Sequence, residues 1–196
     1  MMSASPAQIR DEIAAAFAVS IGHLTPISDR EGRYDYEPVR VRTYVTEQTW
    51  PEGLAFSVRA VVFRRRSVVV VRLRDGYRHV VPGGRREAGE TIEQTLRREV
   101  VEECGWHLAT HKPLGFEHVQ HLAEPPIGFP AAGFINPIFV AEGGSCERSA
   151  RDLTQSEAGS SLVPIGQALR VLPAWSAVLL RAAVSARQSR RRQPSG

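Results

Sequence analysis

Residues 84–106 read GRREAGETIEQTLRREVVEECGW and contain six of the chain's glutamates. No glycine or proline occurs between residues 90 and 103. Apolar residues recur there at every fourth position, at Ile92, Leu96 and Val100. This period predicts a helix with one apolar face. Gly105 follows directly, at a position where glycine commonly ends a helix.

Three acidic residues crowd together on the predicted helix. Glu99, Glu102 and Glu103 have the spacing i, i+3 and i+4, so they share one narrow arc beside the apolar face. Like charges at this spacing destabilise an exposed helix by roughly a few tenths of a kcal/mol per pair. A hard divalent cation would remove this repulsion, because Mg²⁺ prefers carboxylate oxygens and retains coordination positions for water and phosphate. A solvated acidic face is the other interpretation, and it suits Glu93 and Glu87.

The whole stretch resembles the Nudix box, the sequence signature of Nudix hydrolases. The fixed residues of that signature are all present at the required spacing: Gly84, Glu90, Arg98, Glu99, Glu102, Glu103 and Gly105. A chance match at seven positions has a probability of roughly one in 10⁹ per starting point. Trp106 departs from the pattern, because the family usually has an aliphatic residue there, so this residue tests packing at the helix end.

The resemblance implies an α/β protein with the Nudix fold, an α/β/α sandwich around a mixed sheet. It also implies hydrolysis of a diphosphate bond in a nucleoside diphosphate that is linked to another moiety. Mg²⁺ is the implied cofactor, with Mn²⁺ as a substitute. The implied metal ligands are Glu99, Glu102, Glu103 and a backbone carbonyl at Gly83 or Gly84.

Further roles follow from the same resemblance. Arg98 is expected to hold the carboxylates in place, and Glu90 is expected to pair with Arg98. The predicted catalytic residues are Arg98, Glu99, Glu102 and Glu103. Many Nudix enzymes have an additional ligand or general base beyond the box, for which Glu142 and Glu157 are the candidates, although acidic residues are also common in loops. No substrate-binding residue is predicted.

Composition limits the class of protein. The 196 residues suffice for one domain of ordinary size with extensions, and the net charge of +4 supports anionic ligands without demanding nucleic acid. Cys104 and Cys146 are too few for a disulfide framework and are not spaced like a zinc site. The apolar run at residues 13–21 is too short to cross a bilayer and follows two acidic residues. We therefore predict a cytoplasmic protein with no membrane association.

The chain is predicted to have three parts. Residues 1–53 form an N-terminal extension with a helix and a strand, 54–187 the Nudix hydrolase domain, and 188–196 a basic disordered tail. The extension contains a helix start at Ser5, with proline next and a capping-box glutamine three residues later, and an alternating run at residues 39–45. Such signals predict a packed extension. Because homodimers are the commonest oligomers, we expect this extension to support a homodimer.

The remaining elements are predicted from periodicity and turn residues. Residues 57–73 predict a β-hairpin that turns at 64–67. Further strands are predicted at 77–81, 114–119 and 134–141. A closing helix is predicted at 173–187, with its buried side at Trp175, Val178, Leu179, Ala182 and Ala183.

Several other residue types have a functional and a structural interpretation. Cys104 is interpreted as a buried thiol, because no histidine is placed to activate it as a nucleophile. His118 and His121 are too poorly spaced on a strand for a metal pair, so we expect surface or substrate-loop histidines. Phe129 and Phe134 can stack on a base or pack the core, and packing is favoured.

Substrate choice lies outside the box and is not predicted. The alternative function is a Nudix-fold regulator that binds a nucleotide or RNA without turnover, using the basic tail and the extension. Proteins of that kind commonly lose box carboxylates, whereas this chain has all of them. A solubilising end is favoured over RNA binding for the arginines at residues 190–192.

Overall fold

The computed structural model describes residues 4–34, 37–151 and 157–191, without the side chains of residues 157, 190 and 191. The chain divides into two compact units: a first unit of Met1–Phe56 with Gly115–Pro137, and a second unit of Ser57–Leu114 with Ile138–Gly196. The predicted boundaries after residues 53 and 187 stay predictions. Within the described residues, no helix has both the length and the apolar character that crossing a membrane requires.

Helix α1 (Pro6–Ser20) belongs to the first unit and starts as predicted. Ser5 caps the helix, and Gln8 completes a capping box by accepting a hydrogen bond from the Ser5 backbone N–H at 2.8 Å. Phe17 is buried and its ring centroid lies 5.4 Å from that of Phe116. Arg10 donates to the carbonyl of Gly128 at 3.0 Å. The predicted packing of the extension is therefore confirmed, and both of these contacts are with residues of the same unit.

The strands of the first unit are β1 (Ser28–Tyr34), β2 (Glu37–Val45), the later part of β6 (Trp106–His121) and the first residues of β7 (Phe134–Cys146). They are hydrogen-bonded in the order β1-β2-β6-β7. Strand β2 pairs with β1 and β6, antiparallel in both cases. The core of the unit contains Val39, Val41, Val119 and Phe134. The predicted alternation of β2 is thus confirmed, whereas β1 was not predicted because its sequence SDREGRY has only one large apolar residue.

The second unit contains a mixed sheet. The hairpin strands β3 (Arg59–Arg64) and β4 (Ser67–Leu73) are antiparallel, while β3 and β7 are parallel. Strand β4 also pairs with β5 (Arg78–His79) and β8 (Glu157–Pro164). The predicted hairpin turn is confirmed, with Arg65 in the left-handed region at φ 54°.

Helices cover both faces of this mixed sheet. They are α2 (Ile92–Cys104), α3 (Ile165–Val171) and α4 (Ala174–Arg191). Ser160, the partner of Val71 across β4 and β8, donates its hydroxyl to the carbonyl of Glu103 in α2. Val68 points to the opposite face of β4 from Val71, and its partner across the hairpin is Phe63. The Arg187 guanidinium of α4 lies 4.7 Å from the Phe63 ring centroid, so α4 covers this second face. The α/β/α arrangement predicted from the resemblance is therefore present in the second unit.

Some elements differ from the prediction. Strand β5 has two residues rather than the five predicted. On its N-terminal side, the Asp75 side chain holds a turn by accepting a hydrogen bond from the Tyr77 N–H. On its C-terminal side, the Val80 N–H donates to the Ser176 hydroxyl of α4 and not to a neighbouring strand. Helix α4 continues through Arg191, beyond the predicted end at 187. Its most buried residues are Ser176, Leu179, Leu180 and Ala183, whereas Trp175, Val178 and Ala182 are only half-buried.

Candidate active site

Helix α2 is stabilised at both ends by residues of the quoted stretch. Thr91 caps its start and forms a capping box with Gln94, in which each side chain accepts from the other residue's N–H. Gly105 ends it at φ 74°, and its N–H donates to Val101 at 2.7 Å. Leu96 is fully buried. These local interactions fix which face of α2 carries the acidic residues.

Arg98 connects the acidic residues of this region. Its Nε and Nη2 donate to the two carboxylate oxygens of Glu90 at 2.8 and 2.9 Å. Its Nη1 donates to Glu99 at 2.8 Å and to Glu102 at 3.0 Å, and Nη2 also donates to the carbonyl of Arg85 at 3.0 Å. All five N–H groups of the guanidinium are engaged. The pairing of Arg98 with Glu90 that the resemblance implied is confirmed.

Glu90 is held as an anion. Its carboxylate accepts from the Thr95 hydroxyl at 2.8 Å and from the Glu87 N–H at 3.0 Å, in addition to Arg98. The hydrogen bonds from Arg98 are the main reason why the pKa of Glu90 falls to about 2. The same contacts raise the pKa of Arg98 above its ordinary value. Thr95 was not predicted, although a hydroxyl one turn after an N-cap threonine is a recognisable signal.

Glu99 lies against the backbone of Gly84. A Cβ at position 84 would collide with the Glu99 carboxylate, so this approach requires glycine. The Gly84 carbonyl already accepts a hydrogen bond from the Val58 N–H at 2.9 Å, which leaves it one further lone pair. The Glu99 side chain is 12% exposed. Burial raises the pKa of Glu99, the negative charge of Glu102 adds to the rise, and Arg98 opposes it.

Glu102 and Glu103 occupy different surroundings. The Glu102 side chain is 37% exposed, whereas Glu103 is buried. The structure thus brings Glu99 and Glu102 together on one nitrogen of Arg98 and does not place Glu103 in that contact. In the part of the chain that the structure describes, no three His, Cys, Asp or Glu side chains are grouped closely enough to hold a metal ion.

The residues nevertheless suit a hard divalent cation. Glu99 and Glu102 already share one cationic group, and the glycine at position 84 leaves room for a charged group beside its carbonyl. Carboxylate and carbonyl oxygens are the ligands that Mg²⁺ and Mn²⁺ prefer. The ligand set Gly84, Glu99, Glu102 and Glu103 stays a prediction.

A cavity of about 430 Å³ adjoins the exposed side of Glu102 and Arg98. His107, Leu108 and Ala150 contribute to its wall together with α2. None of these three residues was predicted, because they come from the start of β6 and from the short 3₁₀ helix Arg148–Ala150, whose positions depend on tertiary structure. The arrangement therefore combines paired carboxylates with an open space beside one of them, Glu102.

Of the two candidates for a general base, one is placed elsewhere. The Glu142 carboxylate pairs with Arg187 through two hydrogen bonds, one of them 2.8 Å long. Glu142 lies opposite Phe63 across β3 and β7, so it faces α4 and not the carboxylates of α2. The structure does not support Glu142 as a general base. Glu157 begins β8, and its side chain lies outside the described residues.

The remaining candidates are structural. Cys104 is buried, as predicted. The expectation of a surface or substrate-loop position is wrong for His118, which is buried on β6 opposite Arg42 of β2. Its Nε2 lies 3.0 Å from the Ala132 carbonyl oxygen, and burial lowers the pKa of the imidazole. Phe129 and Phe134 pack in the core of the first unit, as predicted, and their rings cover one side of His121, which is half-buried. The ring centroids of Phe129 and Phe134 lie 5.2 and 5.9 Å from that of His121.

Comparison with known proteins supports the family resemblance. The family model for the NUDIX domain matches residues 53–175, which is more than half of the chain. The chain belongs to the NUDIX family. None of the curated proteins compared with it matches its sequence.

Solved structures of NUDIX proteins share its fold. A mutant of a pyrophosphohydrolase from Bacillus subtilis has a TM-score of 0.57 and 20% identity, with 82% of this chain and 97% of that chain covered. A NUDIX hydrolase from Nitrosomonas europaea has a TM-score of 0.51 and 19% identity, with coverage of 70% and 90%. The NUDIX domain of NrtR from Shewanella oneidensis, in complex with ADP ribose, has a TM-score of 0.51 and 18% identity, with coverage of 67% and 87%. At these identities, the likeness shows the fold alone.

The unusual Trp106 of the NUDIX box is accommodated by a glycine. A Cβ at Gly143 of β7 would lie 2.8 Å from Cε3 of the Trp106 ring, which is closer than van der Waals contact allows. The indole therefore lies against the backbone of Gly143, where a larger residue would collide with it. This contact is with β7 and does not involve the acidic residues of α2.

Proposed function

We propose that this NUDIX protein is a divalent-metal-dependent hydrolase that cleaves the diphosphate bond of a nucleoside diphosphate linked to another moiety. The observation that carries the proposal is the attachment of Glu99 and Glu102 to one guanidinium that Glu90 holds in place. Catalysis by metal ions needs carboxylates fixed before the substrate arrives, and Arg98 performs this task.

The protein residues have separable roles in this proposal. Glu99, Glu102 and Glu103, with the Gly84 carbonyl, would hold Mg²⁺ or Mn²⁺. A bound divalent ion would lower the pKa of a water ligand towards about 7 and would neutralise the diphosphate. Arg98 orients two of the carboxylates and partly offsets their mutual repulsion.

The substrate class is supported by chemistry and by the fold neighbours. Phosphoryl transfer depends on positioning and charge stabilisation more than on a protein nucleophile, which agrees with the buried Cys104. The Bacillus neighbour is a pyrophosphohydrolase, and the NrtR domain binds ADP ribose, which is a nucleoside diphosphate sugar. A cytoplasmic location, a homodimer and the absence of a nucleic-acid substrate belong to this proposal as expectations.

The decisive experiment is a turnover assay on nucleoside diphosphate derivatives, nucleoside triphosphates and dinucleotides, with Mg²⁺, Mn²⁺ and a chelator in parallel. We expect release of a nucleoside monophosphate or phosphate that needs the metal. Glu102→Gln keeps the side-chain volume but removes one anionic ligand, so activity should fall at least about 100-fold, beyond the 10–100-fold typical of indirect ligand partners.

Glu93→Gln is the matched control for Glu102→Gln. It lies on the same helix and pairs with Arg97, but its side chain is 58% exposed and outside the Arg98 contacts, so activity should not change. Near wild-type turnover in Glu102→Gln would remove this residue from the ligand set. Saturable nucleotide binding without any turnover would instead favour the regulatory function.

A further inference from the structure

A second group of positive charges lies in the second unit, around β4. Arg72 of β4 and Arg78 of β5 are directly opposite each other in the antiparallel ladder. Both side chains are exposed, and no described carboxylate pairs with either of them. Like charges directly opposite one another destabilise a strand pair. An anion between the two guanidiniums would remove this repulsion.

A third arginine approaches from the other side of β4. Strand β8 places Gly159 opposite Arg72. Nη1 of Arg151 lies 3.8 Å from the position that a Cβ of Gly159 would occupy, so the guanidinium of Arg151 lies above this glycine. Nε of Arg151 donates to the carbonyl of Arg148 at 3.1 Å, which orients the group. Arg72 is thus flanked by the guanidinium of Arg78 on β5 and by that of Arg151, which lies over β8.

These arginines line a cavity of about 500 Å³ that also has polar donors in its wall. Ser161 of β8 supplies a hydroxyl, and Gln167 of α3 supplies an amide. Guanidinium groups only donate hydrogen bonds, and their fork matches the oxygens of phosphate. A volume of this size is typical of sites for small molecules.

The cavity lies on the sheet face opposite the acidic residues of α2. Ser160 and Val71 face α2, as the hydrogen bond from Ser160 to Glu103 shows. Side chains alternate along a strand, so Arg72 and Ser161 point to the other face, where α3 is found. A ligand here would not contact Glu99 or Glu102.

We propose that this cavity is a second binding site, for a small molecule that carries a phosphate group, and that it is separate from the candidate active site. The phosphate lies between Arg72 and Arg78, and Arg151 covers it from its position over Gly159 of β8. Binding stabilises the second unit because it relieves the repulsion between the paired arginines. The site is a binding site and not a centre of hydrolysis, since the cavity wall contains no described acidic side chain.

The test is a calorimetric titration of the full chain with inorganic phosphate and with pyrophosphate, at low ionic strength and with a chelator, so that no metal recruits phosphate at α2. We expect saturable binding to the wild type and at least tenfold weaker binding to the double variant Arg72→Gln, Arg78→Gln. Arg74→Gln is the matched control, because Arg74 is exposed in the adjacent turn but does not line the cavity. Arg74→Gln and Glu102→Gln should both bind phosphate as the wild type does.

Thermal melting provides an independent readout. Without phosphate, the double variant should melt about 1 to 4 °C above the wild type, because the cross-strand repulsion is gone. Added phosphate should raise the melting temperature of the wild type and not that of the variant. If the double variant fails to fold, the single Arg78→Gln variant on the two-residue strand β5 replaces it. The proposal is overturned by unchanged binding in the variant, by an equal loss in Arg74→Gln, or by the absence of saturable binding to the wild type.

Discussion

Replacement of Glu90 by glutamine tests how strongly the Arg98 contacts hold this region together. Glu90→Gln retains the size of the side chain and one oxygen acceptor but removes the negative charge beside Arg98. The pKa of Glu90 in the folded protein is about 2, against an ordinary value of 4.5. At about 1.4 kcal/mol per pKa unit, the ionised carboxylate is stabilised by roughly 3 kcal/mol. Its side chain is 17% exposed, so after allowance for solvent screening we expect a loss of about 2 kcal/mol.

The pH dependence of this loss has a definite sign. Folding depresses the pKa of Glu90, so its stabilisation is fully present above about pH 4.5 and is lost as the pH falls towards about 2. The difference between wild type and Glu90→Gln should therefore be largest at pH 7 and should fall by roughly half at pH 3. A loss of about 2 kcal/mol corresponds to a decrease of about 4 to 8 °C in melting temperature for a chain of this length.

Urea denaturation followed by circular dichroism at pH 7, 5 and 3 measures these differences. Glu93→Gln serves as the control, because it makes the same chemical change on an exposed pair with Arg97, where a loss of about 0.3 to 0.5 kcal/mol is expected. The reasoning is refuted if Glu90→Gln is as stable as the wild type at pH 7. It is also refuted if the difference does not decrease between pH 7 and pH 3.

Three further changes have definite expected outcomes. Gly84→Ala places a methyl group against the Glu99 carboxylate, so the affinity for a divalent metal, measured by calorimetry, should fall at least about tenfold. The circular dichroism spectrum should be retained. An unchanged affinity would show that this contact does not contribute to metal binding. Gly143→Ala should destabilise the protein by about 1 to 3 kcal/mol in urea denaturation because its methyl group meets the ring of Trp106, and addition of Trp106→Leu should recover part of the loss. Deletion of residues 1–53 should lower both the melting temperature and the apparent mass in light scattering. The extension is neither part of the core nor an interface if the full-length protein is monomeric and the deletion variant keeps the same melting temperature and activity.

The box helix was predictable because its determinants are local. The period of Leu96 and Val100, the spacing of the three carboxylates and the terminal Gly105 all lie within a few turns of chain. The capping box of Thr91 and Gln94 adds two more local hydrogen bonds. Because these signals are all close together in the sequence, the predicted ends of the helix differ from the observed ones by only one or two residues.

Contacts that local sequence signals do not determine were harder to predict. The contact between Arg98 and Glu90 was expected only from the resemblance to a family, because Glu90 precedes the N-cap Thr91 and the helical period therefore does not place its side chain. His118 was misplaced because its burial depends on pairing with β2, far away in the sequence. Glu142 was misassigned because the face it occupies depends on the register of β7 with β3. The unpredicted β8 has the sequence EAGSSLVP, in which small and polar residues weaken the strand signal.

The discontinuous first unit affects how the protein is made. Arg10 of α1 bonds to Gly128, a partner 118 residues further along the chain, and β2 obtains its neighbour β6 only after the whole of α2 has been synthesised. A ribosome adds roughly 5–20 residues each second, so α1 is made several seconds before its partners Phe116 and Gly128. Contacts of such long range also close slowly during refolding. Helix α1 therefore leaves the ribosome well before its partners do, and its packing is completed only after residue 128 has been made.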